Sequence, residues 1–246
     1  MRSSDSIQSL EMLGVKIDPV SLQQSLDKIE TFIRTRSPHL IVTLGTEMVM
    51  DAQKHARFRE LVNRAALVLP DGGGLIWAAK RLQLPIKEKV AGIDLLLTIC
   101  AASHEKQWKL FFLGGKPGVA EQAATNIRKK IPDAQIIGTH HGYFEQSEVF
   151  HLLQTAKPDI LFVGIGSPNQ EFWIDDNLGR LGIPVGIGVG GSFDVLAGKL
   201  KRAPQWMMRL NLEWLFRFFQ EPKRLRRILK IPMFMIRIYA ERGNRK

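Results

Sequence analysis

The 246-residue chain contains a single cysteine, Cys100, so no disulfide can form within it. Cys100 lies in the apolar run 95–102, which is typical of a small core residue rather than a reactive thiol, and this usage suits a reducing compartment. Residues 1–8 lack the apolar centre of a signal peptide. No window offers about 18 uninterrupted apolar residues. We therefore expect no transmembrane helix, and any membrane contact must be peripheral.

Several chemical signatures are also missing. No spacing of histidine, cysteine or carboxylate residues matches a metal site, and there is no P-loop and no nucleophile elbow. The adjacent His140 and His141 point to opposite sides of an extended segment. The first strand is not followed by a Gly-x-Gly-x-x-Gly turn with an acidic residue about 20 positions later. We therefore expect neither a bound metal nor a cofactor.

Positive charge is concentrated at one end of the chain, whose net charge is +11. Residues 1–198 carry 21 basic and 21 acidic side chains, whereas residues 199–246 carry 14 basic and three acidic ones. This asymmetry indicates a polyanionic partner, which could be a membrane, a nucleic acid or a phosphate-rich substrate. We therefore expect a body over residues 1–198 and a basic helical appendage over residues 199–246.

The body alternates short β-rich runs with longer amphipathic stretches. Predicted strands cover residues 13–18, 39–44, 66–69, 109–113, 134–138, 159–164 and 184–189; predicted helices cover 21–36, 46–64 (as one or two pieces), 75–82, 93–103, 119–131, 145–156 and 170–181. Such alternation favours parallel pairing through right-handed crossovers. Continuous apolar runs such as 160–163 fit strands covered on both faces. The predicted fold class is therefore α/β, with a mostly parallel sheet flanked by helices.

Glycine-rich turns follow four of the predicted strands, at residues 72–74, 114–118, 164–166 and 188–191. Parallel sheets bind ligands at the carboxyl ends of their strands. Glycine lets the backbone approach a ligand closely, and neighbouring helix N-termini attract phosphate. Any single turn is also explained as a tight strand–helix connection. Four together favour a phosphorylated ligand, with Gly73 and Gly114 as candidate contacts.

Three polar side chains stand beside these turns. Asp71 follows a buried strand and could deprotonate an acceptor hydroxyl; the alternative is a turn or cap aspartate. Thr43, near the end of the preceding strand, could bind a phosphate or a sugar hydroxyl, or could be a β-branched strand residue. Gln170 could hydrogen-bond a sugar or a base. Its neighbour Glu171 is interpreted as favourable first-turn helix electrostatics.

The C-terminal segment interleaves aromatic and basic residues. Residues 206–219 are dense in Met, Leu, Trp and Phe, residues 223–227 hold four basic side chains, and residues 228–239 are apolar apart from Lys230 and Arg237. This pattern suits a membrane interface, with each basic residue contributing about 1 kcal/mol near anionic lipid. The alternative is a helical pair packed on the body, and both can hold.

Eight motif blocks, read in order, resemble the WecG/TagA/CpsF glycosyltransferases from about Leu13 to Tyr239. The blocks are Pro70-Asp71-Gly72, Phe112-Leu113-Gly114-Gly115 with Pro117-Gly118, His141-Gly142-Tyr143-Phe144, Gly164-Ile165-Gly166-Ser167-Pro168-Asn169-Gln170-Glu171, Gly188-Val189-Gly190-Gly191-Ser192-Phe193-Asp194, Arg202-Ala203-Pro204, Leu212-Glu213-Trp214-Leu215 and Glu221-Pro222. One block would be weak evidence, but eight in order make the match specific.

The resemblance implies a Rossmann-like fold and an inverting, metal-independent transferase that uses a UDP-sugar, commonly UDP-N-acetylmannosamine or its uronic acid. The implied acceptor is N-acetylglucosamine on a polyprenyl diphosphate, in cell-surface polysaccharide synthesis. The appendage would complete the site on the inner face of the plasma membrane, which implies a cytoplasmic, peripheral protein.

The family's motifs also imply roles for single residues. The proposed general base corresponds to Asp71, and the substrate-binding threonine and glutamine correspond to Thr43 and Gln170. The arginines that bind the leaving diphosphate correspond best to Arg217, Arg224 and Arg227.

The chain departs from the family pattern at two positions. Gly45 stands where an asparagine is frequent, and Lys89 stands where an arginine is frequent. Lysine keeps the charge for substrate binding but loses the bidentate fork of arginine. These departures leave the identity of the donor sugar open.

Two other functions remain as alternatives at this point. One is an oxidoreductase with a nucleotide cofactor, and the other is a non-enzymatic protein that binds polyanions such as nucleic acid. We expect no nucleic-acid partner. The sequence leaves the acceptor lipid, the pathway and the oligomeric state open, a homo-oligomer included.

Overall fold

The computed structural model describes residues 8–209, 213–220 and 229–244. The strands are β1 (Leu10–Met12), β2 (Val15–Ile17), β3 (His39–Leu44), β4 (Leu67–Pro70), β5 (Leu110–Gly114), β6 (Ile136–His140), β7 (Ile160–Gly164) and β8 (Val185–Gly188). The helices are α1 (Leu22–Thr35), α2 (Thr46–Ala52), α3 (Ala56–Arg64), α4 (Gly73–Arg81), α5 (Gly92–Ala102), α6 (Val119–Lys130), α7 (Gln146–Ala156), α8 (Asn169–Leu181), α9 (Ser192–Leu196), α10 (Gln205–Arg209), α11 (Glu213–Gln220) and α12 (Lys230–Asn244).

Strands β3 to β8 form a six-stranded sheet in the order β4-β3-β8-β7-β5-β6. The register is parallel for β3 with β8, β8 with β7, β7 with β5, and β5 with β6. Every residue of β5 and β7 is buried, as expected for apolar strands covered by helices on both faces. The predicted α/β fold with a parallel sheet flanked by helices is confirmed.

The first predicted strand, 13–18, contains β2, and β1, which was not predicted, pairs antiparallel with it to form a hairpin. Leu13 and Gly14 both have positive φ, 50° and 73°, as a tight two-residue hairpin turn requires. The turn residues are Leu-Gly rather than the usual Asn-Gly, so the sequence lacks the common hairpin signal at this place. The hairpin is joined to β4 by Asp18, whose backbone N–H donates to Val68 O at 2.8 Å.

The described residues fall into two compact units. One unit contains those within Met1–Ser25, Leu44–Ala91 and Ala203–Lys246; the other contains Leu26–Thr43 and Gly92–Arg202. The expected division at residue 198 was based on charge, and it stays a prediction about which segment meets a polyanion.

Helix α12 packs within the first unit, against α2 and α4. Ile231, Phe234 and Ile238 are buried at helical spacing and form its inner face. At its start, Lys230 Nζ lies 2.6 Å from Asp51 Oδ1. Near its end, the Arg81 guanidinium stands 4.6 Å from the ring centroid of Tyr239. None of the described helices is both long enough and apolar enough to cross a membrane.

Candidate active site

Asp71 follows the carboxyl end of β4 and begins the turn into α4. Its backbone N–H donates to Leu44 O at 2.8 Å, so the turn starts from hydrogen-bonded strand geometry. Gly72 has a φ of 118°, which residues with side chains rarely adopt, and α4 begins at Gly73. Asp71 and Gly73 are both half-buried. Asp71 is therefore held on a constrained backbone and is partly exposed.

Lys89 lies on a segment that is tied to the Asp71 turn. The backbone N–H of Val90 donates to Pro70 O at 2.9 Å, which joins the neighbours of the two residues. Lys89 Nζ lies 3.4 Å from Glu213 Oε2 on α11, and both side chains are 22% exposed. The pairing of Lys89 with a residue of the C-terminal segment was not predicted.

The three predicted arginines are described only in part. Arg217 lies on α11, one helical turn after Glu213, but its side chain is outside the described part of the chain. Arg224 and Arg227 lie outside the described residues. Their role in binding a diphosphate therefore stays a prediction.

Thr43 belongs to the second unit and is buried on β3. Its Oγ1 donates to Gly188 O at 2.8 Å, so the hydroxyl proton is used within the protein. A side chain at Gly92 would place Cβ 3.2 Å from Thr43 Oγ1, so the first residue of α5 stands close to the hydroxyl. The hydroxyl oxygen keeps its acceptor capacity, and a ligand hydroxyl is the kind of group that could use it.

Gln170 and Glu171 begin α8, after the turn that follows β7, and both side chains are buried. Gln170 Nε2 donates to Glu171 Oε1 at 2.7 Å, and Gln170 Oε1 accepts from the backbone N–H of Gly190 at 3.1 Å. Burial raises the pKa of Glu171, while the hydrogen bond from Gln170 and the nearby Ser167 hydroxyl act in the opposite direction.

The glycine turns after β5, β7 and β8 meet within the second unit. A Cβ at Gly114 would run into the carbonyl oxygen of Gly164, and a Cβ at Gly164 would lie 2.8 Å from Gly190 O. The backbone N–H of Gly115 donates to Gly164 O at 3.0 Å. Gly114 is therefore required by backbone packing, and its contact with a ligand stays a prediction.

No group of three or more histidine, cysteine or carboxylate side chains is arranged to hold a metal ion among the residues that the structure describes. His140, one of the two adjacent histidines, has its Nε2 3.4 Å from Glu148 Oε1.

Comparison with known proteins decides between the open alternatives. The sequence model of the Glycosyl transferase WecG/TagA/CpsF family matches residues 10–246. The chain belongs to this family. Proteins named N-acetylglucosaminyldiphosphoundecaprenol N-acetyl-beta-D-mannosaminyltransferase from Staphylococcus aureus strains MW2, MRSA252 and NCTC 8325 / PS 47 are each 36% identical over 233 residues, covering 93% of this chain and 91% of theirs. The resemblance inferred from the motif blocks is confirmed.

Membership in the WecG/TagA/CpsF family makes the chain a glycosyltransferase and decides against the oxidoreductase and the non-enzymatic polyanion binder. In this transferase, the structure adds two residues whose roles the sequence did not reveal. Glu213 lies in the Leu-Glu-Trp-Leu block, but only the folded chain pairs it with Lys89. Glu171 looked like a helix-terminus charge, but it is buried. The sequence signal for this burial was the position of Glu171 after the apolar strand β7 and at the start of α8, which has an apolar face.

Proposed function

We propose that this WecG/TagA/CpsF transferase moves N-acetylmannosamine or a related hexose from a UDP-sugar to N-acetylglucosamine carried on a polyprenyl diphosphate. The product would belong to the synthesis of a cell-surface polysaccharide. The observation that carries the proposal is the 36% identity, over 93% of the chain, to proteins whose name specifies that acceptor and that sugar. Both the sugar-transfer reaction and the lipid-linked acceptor follow from it.

In the proposed reaction, the Asp71 carboxylate accepts the proton of the acceptor hydroxyl. That oxygen forms a bond to the anomeric carbon of the donor as the bond from this carbon to the diphosphate oxygen breaks. The electron pair leaves with UDP, and a single displacement inverts the anomeric configuration. The half-buried position of Asp71 after β4 supports this role, because a general base must reach the hydroxyl that it deprotonates.

The departing UDP gains negative charge as its bond to the sugar breaks. Fixed cations near the developing charge lower the barrier, and we propose that Lys89, Arg217, Arg224 and Arg227 provide them in the part that a metal ion plays in other transferases. The bond of Val90 to Pro70 supports Lys89, because it ties the lysine segment to the strand end before Asp71. Its contact with Glu213 restricts where the ammonium group can lie.

Substrate binding is proposed for Thr43, Gln170, Gly73 and Gly114. Since Thr43 donates its proton to Gly188 O, its oxygen would accept a hydrogen bond from a sugar hydroxyl. Gln170 would donate through Nε2, which carries a second hydrogen beyond the one bonded to Glu171. The two glycines would contact the nucleotide through their backbone.

We further propose that the C-terminal segment holds the enzyme on the inner face of the plasma membrane, where its lipid-linked acceptor would lie. Among the described residues, eight of the ten large apolar side chains that are exposed lie between residues 206 and 239. They are Trp206, Trp214, Phe219, Leu229, Met233, Met235, Ile236 and Tyr239. Exposed apolar and aromatic side chains beside basic ones suit a headgroup interface better than nucleic acid, which offers no apolar layer.

A donor panel tests the proposed function. The purified full chain would be incubated with a prenyl-diphosphate-linked N-acetylglucosamine and with UDP-N-acetylmannosamine, its uronic acid, UDP-N-acetylglucosamine and UDP-glucose, each with and without EDTA. We expect transfer from one of the mannosamine donors, unchanged by EDTA, and NMR of the disaccharide should show inversion. Failure with every UDP-sugar would overturn the proposed donor class, and retention of configuration would overturn the single displacement.

A further inference from the structure

Glu171 is buried in a way that its place at the start of α8 does not explain. Its side chain is fully buried, with Oε1 accepting from Gln170 Nε2 at 2.7 Å. Oε2 and Ser167 Oγ are both buried, and the Ser167 hydroxyl is the other hydrogen-bonding neighbour of the carboxyl group. Folded proteins rarely leave such atoms unpaired, because burying them costs free energy. A residue kept only for helix stability would instead be exposed or apolar.

The Gln170 carboxamide is held at both ends. Its oxygen accepts from the backbone N–H of Gly190, and its nitrogen donates to Glu171. Turning the amide over would place oxygen against the carboxyl oxygen and NH₂ against the Gly190 N–H, which loses both bonds. Gly188 leaves room for the two side chains, since a Cβ there would lie 2.7 Å from Gln170 Nε2 and 2.9 Å from Glu171 Oε1. The amide therefore has one orientation.

Burial raises the pKa of Glu171, which favours the neutral acid. A neutral carboxyl group has one oxygen that accepts and one that donates. In that neutral form, Oε1 would accept the hydrogen bond from Gln170 and Oε2 would carry the proton. A glutamine at this position would reproduce both the shape and the accepting oxygen.

We propose that Glu171 is a positioning residue of the transfer reaction, whose buried carboxyl group holds the Gln170 carboxamide so that its second Nε2 hydrogen is presented to the donor substrate. This inference rests on the proposed role of Gln170 in binding that substrate. Glu171 acts through Gln170. The backbone N–H of Gly190 fixes the other end of the same amide. The role requires an acceptor of the right length at residue 171, and it does not require a negative charge.

Steady-state kinetics of four variants test the proposal. Glu171→Gln keeps the acceptor, Glu171→Met keeps the length without it, Glu171→Asp keeps the acid but shortens it, and Gln170→Ala removes the positioned amide. We expect KM for the UDP-sugar to stay within about twofold of wild type in Glu171→Gln and to rise about tenfold in the other three, the effect of one lost hydrogen bond. The value of kcat should change less than KM in each.

A second measurement does not depend on turnover. In ¹⁵N-labelled protein, the side-chain NH₂ signals of Gln170, assigned by their loss in Gln170→Ala, should exchange slowly with solvent in wild type and Glu171→Gln. They should exchange faster in Glu171→Asp, and in Glu171→Met where that variant folds. Equal exchange rates in wild type, Glu171→Gln and Glu171→Asp would overturn the positioning role even if Glu171→Met does not fold.

The outcomes separate the two claims. If Gln170→Ala leaves KM unchanged, the proposed role of Gln170 is wrong, although slow exchange would still report on Glu171. If Gln170→Ala raises KM while Glu171→Asp and Glu171→Met do not, the inference about Glu171 is wrong and the role of Gln170 stands. A folded Glu171→Gln with a large loss of turnover would show that the charge or the proton of Glu171 matters, and would also overturn the inference.

Discussion

Asp71 and Glu171 are two carboxylic acids that follow buried strands, and their surroundings suit them to different roles. Asp71 is half-buried in a turn with glycines on its C-terminal side. Glu171 is fully buried, and burial raises its pKa. In enzymes, two carboxyl groups in such different environments commonly have different roles. This difference supports the proposals that Asp71 transfers a proton and that Glu171 holds an amide.

Asp71→Asn should keep the fold and lose most turnover, because an amide cannot accept the proton of the acceptor hydroxyl. We expect kcat to fall by about 10²–10⁴, the usual contribution of a general base, with an unchanged melting temperature. The exposed Asp133→Asn is the matched control and should leave kcat unaltered. Full activity in Asp71→Asn would remove Asp71 from the role of base.

Glu171→Gln should change how stability depends on pH. The unfolded chain ionises Glu171 near its ordinary pKa of about 4.3, whereas the folded chain keeps the proton to higher pH. Between these two values the folded state binds more protons, so wild-type stability is lost as pH rises. The urea midpoint of Glu171→Gln should therefore gain on wild type as pH rises above the ordinary pKa of a glutamate. The exposed Glu60→Gln should show no such gain.

At the scale of the element, α12 shows how a helix divides its faces. Its spacing of Ile231, Phe234 and Ile238 turns one apolar row inward, and Met233 and Ile236 remain exposed. The apolar pattern of residues 228–239 predicts a helix that either packs on the body or faces a membrane. In the structure, α12 has a buried apolar row and exposed apolar side chains. The sequence alone could not distinguish these two possibilities, because the buried residues of α12 find their partners only when the chain folds and α2 and α4 pack against them.

Phe234→Ala should destabilise the first unit, because it removes a fully buried ring from the contact of α12 with α2 and α4. We expect a loss of about 3–5 kcal/mol, the usual range for such a truncation. Met233→Ala, one residue earlier and exposed, should change stability by less than about 0.5 kcal/mol. Denaturant unfolding of both variants measures the difference. Equal effects would mean that α12 does not pack by its Phe234 face.

At the scale of the whole molecule, charge and exposed apolar surface coincide in the C-terminal segment. Residues 199–246 carry the entire net charge of +11, and most of the large exposed apolar side chains lie there too. The basic side chains attract anionic headgroups, and the apolar ones enter the boundary below them. The two effects together favour a surface-bound enzyme.

Ile236→Glu should weaken binding to vesicles of phosphatidylglycerol, since it replaces an exposed apolar side chain by a charge that anionic lipid repels. We expect about a tenfold loss in a flotation assay, and wild-type binding should weaken as salt increases. Ile137→Glu, an equally apolar exposed position on β6, is the matched control and should float as wild type does. Similar losses in both variants would argue against a docking surface on α12.

The sequence by itself determined the α/β class, most element boundaries and the family, because apolar periodicity, glycine turns and motif order are local properties of the chain. Tertiary structure alone decided which polar groups became partners. Lys89 meets Glu213 across 124 positions of sequence, and Thr43 meets Gly188 across 145. It also decided that Glu171 is buried, since a carboxylate at a helix start is usually solvated. Contacts and desolvation depend on which distant segments pack together, and no local pattern records that.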